Sequence, residues 1–490
     1  MRKRLLSAIL GLLILSSALN SCASDTQEIT ETSENASADE NIQIPAENEE
    51  ETVPEETALS DGLEDVNMDG YDFRILSCYF NNKNTWEYLI FDEMTGDPVN
   101  DQLYEAKQAI EGRFNMKFSV IDPGDDSAAV TAFTTSVTGG DNAFDMHIGK
   151  DYKTVDLGIQ NLGYNLYNIE QFDFDKPWWP ENSVNAFTLC GKLFAASNYA
   201  SYCGIHWSRV MSFNKDLMDE MQMVYPYDIV REGNWTLDTL YTTIDGTSVD
   251  TNGNGSIDKG DTYALMGNGS FYYCLQEAVD LSVYKKDEAG LPYLDLNVDK
   301  LDTFVTKMRQ IMDPTDYLDE SDQYFTQNKT VFSFCQIRDA YNGYRLSDIR
   351  YGFLPHPKLD ENQENYISCC TDCPWIIPKT VSEDQADIIG TVIEALSCYN
   401  YINLLPVYFE SALKARLADS PDDSEMLQLI ADTRTISFAY SFNKLTFNNV
   451  ISDCIANGNN RPVASYIKSS QKVAQKMLDN LIKDYESMDQ

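Results

Sequence analysis

Residues 72–121 lay down a strand, a helix and a second strand joined by one crossover. Asp72-Phe73-Arg74-Ile75-Leu76-Ser77 is an apolar run of strand length. Leu103, Ala106, Ile110 and Phe114 then recur at helical spacing, behind a start signal at Asp97-Pro98 or Asn100. Residues 117–121 supply the next strand. Two strands joined by a helix of that length pair in parallel, and a parallel sheet needs helices on its faces. The chain is thereby confined to a layered α/β architecture. Residues 128–137 continue the pattern as a helix, and residues 143–148 as another buried strand.

The remaining segments alternate in the same way. Residues 190–196 read as a hairpin turn leading into a strand, and 209–214, 331–334, 350–355 and 375–378 as further strands. Ser382-Glu383-Asp384-Gln385 is a capping box opening a helix, with Ile388, Ile389, Val392, Ile393 and Leu396 expected on its buried face. The last helix, about residues 465–485, is expected to bury Val473, Met477 and Leu481. At 490 residues the chain has room for two domains with full cores.

Residues 1–21 read as an export signal. Arg2, Lys3 and Arg4 precede an apolar stretch that is short for a transmembrane helix. Leu19-Asn20-Ser21-Cys22 is similar to a bacterial lipobox, which assigns Cys22 to lipidation; ordinary cleavage with a free Cys is the alternative. Residues 22–67 follow as an acidic tether, free of Lys and Arg and too poor in apolar side chains to fold. The net charge of −42 argues against nucleic acid or an anionic membrane face as a partner. The 29 tyrosines suit a surface that stacks on sugar rings or bases, although most must pack in the core.

Residues 250–261, D-T-N-G-N-G-S-I-D-K-G-D, match an EF-hand-type calcium loop. Asp250, Asn252 and Asn254 take the first three ligand positions, Gly255 the sharp turn, and Ser256 offers a backbone carbonyl. Asp258 and Asp261 complete the set, Asp261 with a shorter reach than the usual Glu. Thr236 can N-cap a helix before the loop, and T-Y-A-L-M after it reads as a strand. With a single loop, the calcium reads as a staple between helix and strand. The rival reading is a polar Asn-Gly turn.

Eleven cysteines occur. Cys369-Cys370-x-x-Cys373 invites a zinc reading, but no second pair or neighbouring His completes four ligands. Buried thiols, some of them paired, are the expectation.

A series of segments resembles the family 1 extracellular solute-binding proteins of ABC transporters for sugars, in their lipoprotein form. G-K-L-F-A-A, V-M-S-F-N-K-D-L and Y-P-Y-D-I-V-R-E-G-N-W-T-L-D-T-L come first. Y-G-F-L-P-H-P-K, I-I-P-K-T and D-S-P-D-D-S-E-M-L-Q-L-I follow in family order. The resemblance implies two α/β lobes joined by hinge strands, a periplasmic-binding-protein-like fold of type II. Lobe 1 is expected at 68–206 and again at about 367–410, and lobe 2 at 207–366 and again at about 411–490.

It also implies a non-enzymatic carrier that captures a carbohydrate, such as an oligosaccharide, between its lobes. An ABC permease is the implied partner, and the outer face of the cell membrane the implied location. Position in the family pattern points to Trp86, Lys150, Asp151, His206, Trp207, Asn268, Tyr272, Gln336, Arg338 and Asp372 as ligand contacts. Trp207 is a stacking platform or a hinge-core residue, and Trp86 is exposed to ligand or packed. Trp178-Trp179 is expected to pack. The rivals are a secreted carbohydrate-active enzyme with two carboxylates across a cleft, a docking module built on the calcium loop, and the same fold with a peptide or other polar solute.

Overall fold

Two five-stranded sheets organise the computed structural model, which describes residues 59–80, 82–267, 271–319, 323–413, 421–442, 445, 450–455 and 461–488. Their strands are β1 (Tyr71–Leu76), β2 (Met116–Ile121), β3 (Met146–Ile148), β4 (Ala195–Ala196), β5 (Arg209–Asn214), β6 (Tyr263–Gly267), β7 (Tyr317–Asp319), β8 (Thr330–Gln336), β9 (Tyr351–Leu354) and β10 (Trp375–Ile376). The first sheet runs β2-β1-β3-β10-β4 and the second β7-β6-β8-β5-β9. β1 pairs in parallel with β2 and β3, and β10 lies antiparallel between β3 and β4. In the second sheet β6 is parallel to β7 and β8, while β5 is antiparallel to β8 and β9.

The chain leaves the first sheet after β4 and returns to it at β10. Where it crosses, Ser208 bridges Cys370, and Ser368–Cys370 pairs in parallel with Arg434–Ile436. These neighbouring extended segments join the two sheets. The fold is two-lobed α/β.

Local chemistry explains the element boundaries. Asp97 accepts from the N–H groups of Val99 and Asn100, Pro98 occupies the first helical position, and Asn115 ends the helix Pro98–Phe114 in the left-handed region. That helix buries Val99, Leu103, Ala106, Ile110 and Phe114. Ser382 and Gln385 form the capping box of the helix Glu383–Tyr399. Strands β5, β8 and β9 are buried along their whole length, as expected of strands covered on both faces.

Trp178 and Trp179 are packed in the core. Their indole N–H groups donate to Glu394 Oε1 and Oε2, both at 2.7 Å. Glu394 projects from the helix Glu383–Tyr399 and is closed to solvent, and burial pushes its carboxyl up to about 7.

Several sequence expectations are corrected. Ile388 is only half-buried, because the buried face of its helix is centred on Ile389, Val392 and Ile393. In the last helix, Val463–Glu486, Val473 is exposed and Met477 half-buried. Its buried stripe is Ala474, Leu478, Leu481 and Tyr485, one residue further round. The folded unit starts at Asp61, ahead of the expected limit of the acidic tether. Arg113 draws that segment in, reaching Asp61 at 2.5 Å, Asp65 at 2.6 Å and the Leu63 carbonyl at 2.8 Å. The leader and Cys22 lie outside the described residues. No disulfide joins the ten described cysteines, and of these only Cys190 is not buried.

Candidate ligand-binding cleft

In an open α/β sheet, the loops at the carboxyl ends of parallel strands form the natural crevice for a ligand. Here such loops from both sheets meet. After β1 come Phe80, Lys83 and Trp86; after β3 come Lys150, Asp151 and Tyr152; after β8 comes Arg338. Trp207 stands just before β5, Tyr273 in the helix after β6, and Tyr440 after the Arg434–Ile436 strand.

Their side chains form one continuous run. The Arg338 guanidinium lies 4.1 Å from the centre of the Trp207 ring. Trp207 stacks on Phe80, with centroids 5.5 Å apart and planes at 14°. Lys150 Nζ sits 5.1 Å from the Phe80 ring and 4.6 Å from the Tyr152 ring. Tyr152 meets Tyr440 edge-on, and Tyr440 stacks on Tyr273 at 4.3 Å with planes 3° apart. The run thus begins and ends on the second sheet and passes through residues of the first. Phe80, Tyr152, Tyr273 and Tyr440 escaped the sequence reading. Tyr152 and Tyr273 were findable, each directly beside a residue already chosen, Asp151 and Tyr272; Phe80 and Tyr440 carry no local signal.

The expected site residues divide between this run and its surroundings. Trp207 is 5% exposed, and among the described residues its Nε1–H has no acceptor in hydrogen-bonding geometry, with the Tyr88 side chain alongside. Lys150 and Arg338 belong to the run. Trp86 is half-buried and stacks on Phe91 at 5.9 Å. Asp151 is buried beside Lys150; its Oδ1 accepts from Tyr152 N–H at 2.8 Å, while Oδ2 has no partner among the described residues. Burial pushes this carboxyl up to about 7.

His206 stands apart in a tyrosine cage formed by Tyr88, Tyr202, Tyr341 and Tyr408. Its Nδ1 is 2.8 Å from the Tyr408 hydroxyl, and burial holds its pKa well below the usual range. Gln336 is buried, with Nε2 donating to the Trp207 carbonyl at 3.3 Å. Tyr272 is buried in the first turn of its helix and packs edge-on against Phe271.

Asp372 is buried at the crossing, where Ser197 Oγ donates to Oδ2 and the Cys373 N–H to Oδ1 at 2.7 Å. Burial pushes it up against the opposing pull of Arg434. Gly204 faces this pair so closely that a Cβ there would lie 2.5 Å from Asp372 Oδ2 and 2.8 Å from Arg434 Nη1. Asn268 lies outside the described residues.

The loop 250–261 is a separate construction. The helix Leu237–Ile244, capped by Thr236, precedes it, β6 follows it, and Val249 bridges Thr262 at its neck. Gly253 and Gly255 adopt left-handed backbone at φ +72° and +87°. Asp250 accepts from the N–H groups of Gly253 and Gly255, each at 2.7 Å. Asp261, fully buried, accepts from Thr251, Asn252 and Asp258 N–H groups at 2.9–3.2 Å. These donors hold it below the usual carboxylate range. The amides of Asn252 and Asn254 donate to Asp258, and Ser256 N–H to Asn254 Oδ1. Among the described residues no three His, Cys, Asp or Glu side chains already converge on a metal position. By donor type, all oxygen with three carboxylates, the loop fits a hard cation.

Solved structures share this fold at low identity. An ABC substrate-binding protein from Listeria monocytogenes in complex with cycloalternan matches with TM-score 0.51 and 14% identity, over 85% of this chain and 100% of that one. A cyclo/maltodextrin-binding protein complexed with maltotetraose matches at TM-score 0.51 and 14% identity, over 86% and 98%. A sugar transporter from Rhizobium etli, in an open conformation, matches at 0.50 and 13%, over 86% and 100%. No family model matches the chain, and no curated protein does.

Proposed function

We propose that this chain is an extracellular carrier that captures a carbohydrate between its lobes and hands it to an ABC importer. The observation that carries the reading is the run Arg338–Trp207–Phe80–Lys150–Tyr152–Tyr440–Tyr273, in which loops from both sheets contribute. Aromatic faces receive the C–H faces of sugar rings, while cations and amides bond the hydroxyls. Capture of this kind involves no covalent chemistry. The relatives in fold support it: they include proteins solved with cycloalternan and maltotetraose.

The leader and Leu19-Asn20-Ser21-Cys22 support attachment to the outer face of the cell membrane through a lipid on Cys22. Cys22→Ala then moves the protein from the membrane fraction to the medium. Calcium in the loop 250–261, held by Asp250, Asn252, Asn254, Ser256, Asp258 and Asp261, would clamp the capped helix to β6 without touching the cargo.

The test is a thermal-shift screen of oligosaccharides, followed by calorimetry on the hits and an assay for new reducing ends. Binding without cleavage is expected. Release of reducing ends would replace the carrier with an enzyme, and a response to peptides alone would replace the cargo.

A further inference from the structure

Acidic residues outnumber basic ones by 78 to 36 in this chain, so carboxylates are plentiful as partners for its cations. Arg74, Lys107, Arg113, Lys153, Lys215, Arg231, Lys307 and Arg350 each hold one at 3.0 Å or closer. Among the described residues, the cations of the cleft hold no carboxylate that close. Lys150 Nζ lies over the rings of Phe80 and Tyr152 with no ion pair among the described residues. Lys83 Nζ, in the short strand Lys83–Asn84 after β1, faces the rings of Tyr88, Phe91 and Tyr202 and donates to the Tyr202 hydroxyl at 2.9 Å. The Arg338 guanidinium covers the Trp207 ring, and its carboxylate neighbour, Asp339, is 3.5 Å from Nε. Asp339 meanwhile accepts from Gln336 N–H at 2.7 Å and also faces Arg209.

Asp151, next to Lys150 in the chain, is buried, with Oδ1 taken by a backbone N–H and Oδ2 without a partner among the described residues. Among the described residues, the groups here without a hydrogen-bond partner are three donors, the Lys150 ammonium, Arg338 Nε and the Trp207 Nε1–H, and one carboxyl oxygen, Asp151 Oδ2. A neutral sugar offers hydroxyls that must donate as well as accept. A carboxylate or sulfate ester offers acceptors only and carries the opposite charge.

We propose that the cargo is an acidic carbohydrate, whose carboxylate or sulfate groups are received by Lys150 and Arg338 while its rings stack on the aromatic run. This rests on the carrier reading above and narrows it. Aromatic faces fix the ring, and cations spaced along the run select for charge.

The probes are trigalacturonate, its fully methyl-esterified counterpart, a sulfated galactan trimer, and neutral maltotetraose. In calorimetry at low salt, trigalacturonate or the sulfated trimer is expected to bind at least tenfold tighter than either neutral probe. That affinity should fall about tenfold between 50 and 500 mM NaCl, as screening predicts. Which acidic probe wins assigns the anion as carboxylate or sulfate. Lys150→Gln combined with Arg338→Gln should lose tenfold or more toward the acidic probe. Lys150→Arg combined with Arg338→Lys should retain it, with the unliganded melting temperature of both pairs followed as a check on folding. Neutral probes binding while acidic ones fail would overturn the charge assignment and leave the carrier standing. Acidic binding unchanged in a folded Gln pair would overturn the residues assigned. No binding by any of the four would remove the carrier reading and this one together.

Discussion

Lys215 Nζ lies 2.7 Å from Asp423 Oδ2, and both side chains are almost closed to solvent. Lys215 opens the helix Lys215–Glu220 directly after β5, and Asp423 stands in the first turn of the helix Pro421–Asp432. The Tyr227 hydroxyl donates to the second oxygen of the same carboxylate. The pair therefore pins a late helix to the second sheet, across a long interval of sequence that includes the excursion back to β10.

Removing one member of a buried pair leaves the other charged and unsolvated, at a cost of about 3–5 kcal/mol. Lys215→Ala is expected to be the more damaging single change, because it strands a carboxylate. Lys215→Met combined with Asp423→Leu should recover much of the loss. Chemical denaturation of the three proteins checks this, and a Lys215→Ala variant as stable as the wild type would contradict it.

The pH dependence of stability follows from buried carboxyls. Burial pushes Glu394, Glu277 and Asp151 each up to about 7. Between about 4.5 and 7 the folded chain keeps protons on these groups that the unfolded chain has lost. The unfolded state then binds fewer protons, so stability falls as pH rises through that window. The buried histidines His147, His206 and His356, whose pKa burial lowers, work against this below about 6.5, so the slope is shallow, with the melting temperature expected to be somewhat higher at pH 5.5 than at pH 8. Glu394→Gln should flatten the slope, while losing one of the two indole hydrogen bonds. A wild-type slope of the opposite sign would contradict this.

What the sequence revealed was local. Asp97, Thr236 and Ser382 announced their helices because a cap needs only a side-chain oxygen and N–H groups two or three residues away. Trp178-Trp179 could be read as packing, but Glu394, which satisfies both indoles, is 215 residues beyond Trp179. The cleft was legible where it lay in a loop directly after a strand, as with Lys150. It was illegible at Tyr440, whose only distinction is the Tyr273 ring it meets in space. Val473 misled because a stripe shifted by one residue turns 100° around the helix. His206 and Asp372 were placed at the crossings by position alone, which could not show the Tyr408 and Arg434 beside them.

Calcium is expected to stabilise the fold. A cation that binds only the folded state adds about 2.7 kcal/mol at one hundred times its dissociation constant. In a unit of this size that is a few degrees of melting temperature. Chelation should lower the melting temperature accordingly, and Asp250→Ala combined with Asp258→Ala should abolish the response. Identical wild-type melting curves with and without calcium would refute the site.

Trp207 tests whether the run of aromatics and cations acts as one unit. Phe80 and Arg338 both lie against its ring, and only 5% of the residue is exposed. Trp207→Ala should therefore open a cavity, costing about 3–5 kcal/mol of stability. It should also cost about 2 kcal/mol of binding, roughly thirtyfold in affinity, because the aromatic anchor and the seat of Arg338 go together. Trp207→Phe keeps a flat face under Arg338 and beside Phe80. It should hold affinity within about threefold while losing part of the packing. Thermal melting and calorimetry on both variants separate the two quantities. A Trp207→Ala protein that melts early but binds its sugar as well as the wild type would confine Trp207 to packing, and would move the recognition surface toward Tyr152, Tyr440 and Tyr273.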